Sequence, residues 1–369
     1  MSTIRIIHAV PKMDREGLQS FLMNVYLNID RKKVQFDFLV HNKEEGALDK
    51  KILSLGGKIY RISRLSPISL LQYQKNIKNF FREHTYNVIH SHINLLSSFT
   101  LKAAKKAGVS YRIAHSHSSF IQDVGIKKIV KLYAKKSMNK YATHKMACSK
   151  DAAIWQFGVK AWQRGEVEII PNGINIKNFF FQKEKRDAIR KIYNIKDDDF
   201  ILGHVGSFRK VKNHVFILNV FSELHKIEKH SYLMLVGNGD EEERIKLIAK
   251  KLNILDFIIF VGNIENVGDY YSCMDGFIFP SLYEGLGMAL IEAQSAGLVS
   301  LASDVIPKEA ILGNTCVPLS LSKSHKEWAM WFLTHTNDPR TPPHSIGIYD
   351  IEKIAKKLES FYLNIYEKV

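Results

Sequence analysis

Residues 276–297 read GFIFPSLYEGLGMALIEAQSAG. GFIFPS reads as a buried strand, LYEGLG as a turn, and MALIEAQSAG as a helix ending at Gly297. Strand, tight turn and helix in that order form the unit from which parallel sheets are built. Two carboxylates bracket the turn: Glu284 precedes the glycines, and Glu292 follows after seven intervening residues. If the helix begins near residue 286, Glu292 lies roughly 9 Å along it at the usual rise per residue.

The same alternation extends in both directions. Before the opening stretch lie the strands IRIIHAV (4–10), VQFDFLV (34–40), VIHSH (88–92), YRIAHSH (111–117) and HKMACS (144–149). Leu18, Phe21, Leu22, Val25 and Ile29 share one helical face after the first of these. A second series holds FILGHVGS (200–207), SYLMLVGN (231–238), DFIIFVGN (256–263), GFIFPS (276–281) and LVSLAS (298–303). Apolar strands alternating with helices predict parallel sheets covered on both faces. The segment IIPNGINIKNFFFQKEKR (169–186) separates the two series, and its PNG turn fits a hinge. The expected fold is therefore α/β, with two doubly wound Rossmann-like domains, 1–172 and 173–349. A terminal helix, 350–369, is expected to pack back on the first domain. In open parallel sheets ligands sit beyond the carboxyl ends of the strands. Two such sheets facing each other would form a cleft, and the motifs all follow strands.

The chain has 369 residues, 46% of them hydrophobic, enough for two cores. Its three cysteines, Cys148, Cys273 and Cys316, are far apart and odd in number, which argues against a disulfide framework. The opening MSTIRIIHAV lacks the apolar region of a signal peptide. No run approaches the roughly 18 apolar residues of a membrane span. A cytoplasmic protein is expected. The net charge of +16 is unevenly placed: residues 1–172 hold 29 Lys/Arg against 12 Asp/Glu, and residues 173–369 hold 24 against 25. The first half alone therefore has a basic surface suited to an anionic partner. Lys127, Lys128, Lys131 and Lys135, interleaved with Ile126, Ile129, Val130 and Tyr133, read as a basic amphipathic helix of the kind that rests on membranes.

A helix N-terminus attracts phosphate, and Gly285 and Gly287 permit close approach to its backbone. A nucleotide sugar matches the order of groups: one carboxylate for sugar hydroxyls, amides for the pyrophosphate, the other carboxylate for the ribose diol. A second loop, GHVGSFRKVKNHVF (203–216), follows the first strand of the second domain and carries Gly206, Ser207, Arg209, Lys210 and Lys212. Basic groups there would neutralise a departing diphosphate.

GSFRKVKNH followed by PSLYEGLGMALIEAQSAG resembles the retaining glycosyltransferases of family 4, which have the GT-B fold. EGLGMALIE matches that family's E-x7-E motif. IIPNGIN, LVGNGDEEERIK and PKMDREGLQSF resemble its interdomain turn, its GxG strand end and its N-terminal glycine loop. The resemblance spans residues 4 to 312. It implies that Glu284 contacts the donor sugar, Glu292 the ribose and Lys212 the diphosphate. Gly17, Gly206, Ser207, Gly285, Leu286 and Gly287 would line the donor. Many members carry arginine where this chain has Ser207, so Arg209 would supply that charge from another position.

The first half holds two His-x-His pairs, His90/His92 and His115/His117, and alternate strand residues point to one side. Such pairs on adjacent strands offer zinc ligands. The lack of a nearby cysteine, and their place where parallel strands leave the sheet, instead favour polar strand ends. The resemblance puts His117, or failing it His115, near the reacting sugar carbon, with His92 on the acceptor side.

The expectation is thus a retaining transferase moving a sugar from a nucleotide sugar, a UDP-sugar by the resemblance, to a saccharide or lipid-linked acceptor in bacterial surface polysaccharide synthesis. No cofactor or metal is expected, nor nucleic acid as a partner. Peripheral contact with the anionic inner face of the plasma membrane is expected. Two rivals stand beside it. A nucleotide-sugar 2-epimerase of the same fold would need first-domain carboxylates such as Asp14, Glu16 or Asp123. A non-enzymatic polyanion binder would leave the Glu284–Glu292 arrangement unexplained, because acids repel a nucleic-acid backbone.

Overall fold

Ile4–Val10 (β1) runs parallel to Val34–Val40 (β2), with Ile4 opposite Val34 and Val10 opposite Val40. Ile6, Ile7, Ala9 and Val10 are completely buried, so neighbours on both sides of the strand are covered. The structure, a computed structural model, describes residues 3–14, 17–63, 70–117, 126–335 and 340–367, with backbone only at 70 and 126–132. Glu16 and Asp123 lie outside the described residues, as do the side chains of Lys127, Lys128 and Lys131.

The chain divides into two units: Met1–Ile174 together with Ile348–Val369, and Asn175–Gly347. In the first, the strands continue with Ile59–Arg61 (β3), Val88–Ser91 (β4), Tyr111–Ser116 (β5), His144–Ala147 (β6) and Val167–Ile169 (β7). All pair in parallel, in the order β3-β2-β1-β4-β5-β6-β7. Its helices are Gly17–Asn28 (α1), Asp49–Ser54 (α2), Leu70–Glu83 (α3), Ser97–Lys106 (α4), Ile126–Tyr141 (α5), Lys150–Phe157 (α6) and Val159–Gln163 (α7).

The second unit has strands Phe200–Val205 (β8), Ser231–Val236 (β9), Ile258–Gly262 (β10), Gly276–Phe279 (β11), Val299–Ser303 (β12) and Cys316–Leu319 (β13). Their order is β10-β9-β8-β11-β12-β13, again parallel. Its helices are Lys183–Ile192 (α8), His214–Ile227 (α9), Glu242–Lys251 (α10), Val267–Cys273 (α11), Met288–Ser295 (α12) and His325–His335 (α13). The buried Arg190 of α8 reaches Asp275, just before β11, at 2.5 Å. Each sheet is doubly wound, with its order reversing between β1 and β4 or between β8 and β11, the places where such folds hold ligands.

Ile351–Tyr366 (α14) joins the first unit. Its apolar stripe of Ile351, Ile354, Ala355, Leu358, Tyr362 and Ile365 enters one core with Phe21, Val25, Phe36 and Phe38. A Cβ on Gly173 would meet Ile354 Cδ1 at 2.6 Å, so the PNG turn needs glycine where this helix crosses it.

Several strands are shorter than the sequence suggests. β4 stops at Ser91 and β5 at Ser116, which leaves His92 and His117 one residue past the sheet. The edge strands β3, β7 and β13 were not anticipated. In α5, Ala134 and Met138 are buried while Tyr133 is exposed. The three cysteines are buried, and none is joined to another in a disulfide. Among the described residues no helix is long and apolar enough to cross a membrane.

Candidate active site

The loops that leave β8 and β11 are fastened to each other. Leu282 N–H donates to Val211 O at 2.8 Å, and Asn213 Nδ2 donates to Pro280 O at 3.2 Å. Asn213 adopts the left-handed conformation (φ 58°), which its short polar side chain tolerates, and so turns the chain into α9. This stitching brings Lys212 Nζ to 2.5 Å from Glu284 Oε1. Both side chains keep some exposure, 18% and 13%, so the pair faces the outside of the unit. Lys212 Nζ also lies 5.1 Å from the Phe279 ring centroid.

Gly287 precedes α12 with φ 89°, a conformation glycine accepts without strain, and a Cβ there would press on the Phe279 ring at 3.2 Å. The first amides of α12 follow directly. α12 is shorter than the sequence suggests, ending at Ser295, with Gly297 in the left-handed region at φ 66°. Leu286 is buried and serves the core rather than a ligand-facing surface. Gly237, at the end of β9, would with any Cβ collide with Gly206 O at 2.2 Å, so the β8 and β9 loops close on each other there.

Glu292, one turn into α12, is part-exposed, yet the protein atoms crowding its carboxyl push its pKa up to about 7. The Tyr271 hydroxyl lies 2.9 Å from Glu292 Oε2 and opposes that rise, as does Lys212. Tyr271 had no signal in the sequence; the contact joins α11 to α12. Below Lys212, the rings of His204 and His214 meet edge-on with centroids 5.0 Å apart. Burial, with the Lys212 charge, holds both below the usual imidazole range, so the floor adds no positive charge to repel the ammonium. Arg209 is exposed, and its carbonyl accepts from Lys212 N–H at 2.9 Å. Ser207 O accepts from Arg209 N–H at 2.8 Å. The structure thus assembles Gly206, Ser207, Lys212, Glu284, Gly285, Gly287 and Glu292 on one side of the second unit, with Arg209 at the rim.

In the first unit, His92, His115 and His117 stand together with His8 of β1 and His90 of β4. His117 Nδ1 is 3.0 Å from Asn172 Oδ1, and His117 Nε2 is 2.9 Å from His92 Nδ1. His92 Nε2 is 3.0 Å from His8 Nδ1, and His90 Nδ1 is 2.6 Å from the Tyr362 hydroxyl. Both His117 nitrogens are therefore engaged within the unit. His8, which lies in an apolar strand, and Asn172, read as part of a hinge, were not singled out in the sequence. Gly17 opens α1 and is exposed, with no atom of the described residues within 4 Å of a Cβ placed there.

The sequence profile of the glycosyl transferases group 1 matches residues 185–314. The putative glycosyltransferase EpsF of Bacillus subtilis (strain 168) is 33% identical over 329 residues, 88% of this chain and 86% of its own. The capsular polysaccharide biosynthesis glycosyltransferase CapH of Staphylococcus aureus is 26% identical over 308 residues, covering 82% of each chain. Among solved structures, Anabaena Alr3699/HepE in complex with UDP and glucose superposes with TM-score 0.79 over 97% of this chain and 99% of its own, at 13% identity. That likeness extends to both doubly wound units and gives the GT-B fold expected. Neither the epimerase nor the polyanion-binder reading finds support among these relatives. The chain belongs to the glycosyl transferases group 1 family and is a glycosyltransferase.

Proposed function

We propose that this glycosyltransferase moves a sugar from a UDP-sugar, with retention of anomeric configuration, to a saccharide or lipid-linked acceptor during assembly of a surface polysaccharide. The Lys212–Glu284 pair carries the reading. Without substrate, the carboxylate holds the ammonium in place at 2.5 Å. A diphosphate competes for Lys212 and frees Glu284 to accept hydrogen bonds from sugar hydroxyls. The acceptor oxygen then bonds to the anomeric carbon as the bond to the leaving phosphate oxygen breaks. The hydroxyl proton passes to that phosphate, so no strong protein base is required. Lys212, the α12 amides and Arg209 at the rim offset the developing charge. Glu292 holds the ribose diol. HepE with UDP and glucose supports the donor class, and CapH supports the polysaccharide setting.

His117 is the first-unit candidate for a sugar contact, which requires its Nε2 to release His92. His115 and His92 are alternatives on the acceptor side, and Gly17 leaves open space at the start of α1. Neither a metal nor a cofactor takes part in this scheme. The basic first unit rests against an anionic membrane. The test is transfer with a panel of UDP- and GDP-sugars, with the product anomer read by NMR. A UDP-sugar consumed to an inverted product, or turnover of GDP-sugars alone, would overturn the corresponding part.

A further inference from the structure

Where the order of the first sheet reverses, five histidines gather in a nearly dry interior: His8, His90, His92, His115 and His117. Burial is the leading cause that holds each below its ordinary pKa, to about 3 for His8 and about 4 for His117 and well down for the others. Neutral imidazole is the form that ligates metals.

Their hydrogen bonds have a direction. Asn172 Oδ1 only accepts, so His117 Nδ1 carries the proton. His117 Nε2 is then an acceptor, and His92 Nδ1 donates to it. His92 Nε2 in turn accepts from His8 Nδ1. This chain ends on His8 Nε2, a lone pair without a hydrogen-bond partner among the described residues. Among the described residues His90 Nε2 is likewise unpartnered, and neither His115 nitrogen makes a hydrogen bond of good geometry, although the Ile170 backbone acts weakly on that ring. Buried polar atoms are rarely left so.

We propose that His92, His115 and His117 form a binding site for a zinc-class divalent cation. Their candidate ligand atoms lie within 4.8 Å of one another. The cation takes the place of the hydrogen shared by His92 Nδ1 and His117 Nε2, 2.9 Å apart, and gains a third nitrogen from His115. The His92 proton moves to Nε2 and is accepted by His8 Nδ1, whose own proton moves to its Nε2. Every ring stays neutral and no net proton leaves. His117 Nδ1–H keeps its bond to Asn172 Oδ1. Ligating histidines usually give their second N–H to such an acceptor, which fixes the tautomer. Imidazole donors suit zinc, copper and nickel, and three protein ligands leave a fourth position for water. His117, the part-exposed member, is the side from which an ion reaches the others. A cation here occupies His117 Nε2 and so excludes the sugar contact proposed for that atom, while Lys212, Glu284 and Glu292 of the second unit are untouched by it.

The test uses the whole chain, stripped with chelator and titrated with Zn²⁺ and Co²⁺. One equivalent of Zn²⁺ should bind and raise the Tm. The zinc X-ray absorption edge should show imidazole nitrogens at about 2.0 Å. His117→Gln, at the part-exposed position, should weaken binding by roughly tenfold or more while circular dichroism stays native. Should that variant misfold, the absorption spectrum of the unaltered protein decides by itself. Sub-stoichiometric binding, a first shell without imidazole, or native affinity in folded His117→Gln would overturn the proposal.

Discussion

Lys212, from the loop after β8, and Glu284, from the loop after β11, make an ion pair of 2.5 Å that spans the reversal point of the second sheet. On the proposed reading substrate opens this pair, so each partner should report on a different part of the donor.

Glu284→Gln keeps shape and loses charge. If the carboxylate grips sugar hydroxyls more tightly in the transition state, the loss is about 3 kcal/mol, or on the order of a hundredfold in turnover. Binding of free UDP should change far less. Steady-state kinetics beside UDP calorimetry checks this, and near-native turnover would remove Glu284 from the site.

Lys212→Ala should cut turnover by about 10²–10³, the usual effect of removing one charge-stabilising group. It also strands Glu284, only 13% exposed, without its partner. Arg209→Ala should do less, since Arg209 is exposed at the rim. A larger loss from Arg209→Ala would exchange the two roles.

Nucleotide affinity should depend on pH through Glu292. If it holds the ribose diol as proposed, the hydroxyls donate to its ionised form, and its pKa in the folded chain stands near 7 against an ordinary 4.5. Affinity for UDP should therefore rise as pH passes upward through about 7, with proton release on binding below that. The folded chain holds this proton where an unfolded one has lost it. Stability from this group is thus fully present below the ordinary value and declines as pH climbs toward 7. Tyr271→Phe removes a hydrogen bond that favours the charge. The affinity profile should move to higher pH, as calorimetry in buffers of different ionisation enthalpy would reveal; an unmoved profile would separate Tyr271 from the ribose site.

Vesicle co-sedimentation addresses the basic unit. Basic side chains near an anionic surface contribute roughly 1 kcal/mol each, and salt screens them. Changing Lys127, Lys128, Lys131 and Lys135 together to Gln should abolish binding to anionic vesicles while UDP binding persists. Equal sedimentation with neutral vesicles would overturn the electrostatic reading, and no sedimentation even at low salt would point to a soluble acceptor.

The long central strands were legible because nothing competes with an apolar run buried on both faces; β1 and β2 have the predicted bounds. IYR, VEI and CVPL were not, because edge strands of three or four residues pair on one side only and carry too little pattern. Glu284, Glu292 and Lys212 were legible because they flank glycines at strand ends. Tyr271 and His8 were not: each becomes a site residue only through a contact distant in sequence, Tyr271 with Glu292 and His8 with His92.

The return of α14 to the first unit sets the order in which this protein can be made. While the ribosome is still translating the second unit, the first lacks the helix that covers Phe36 and supplies Tyr362 to His90. The second unit, continuous in sequence, can close as soon as it emerges, whereas the unit begun first is finished last. A fragment ending before Ile351 would expose that bare apolar face and aggregate, however intact its seven strands. An affinity tag fused directly after α14 would delay only the final docking step.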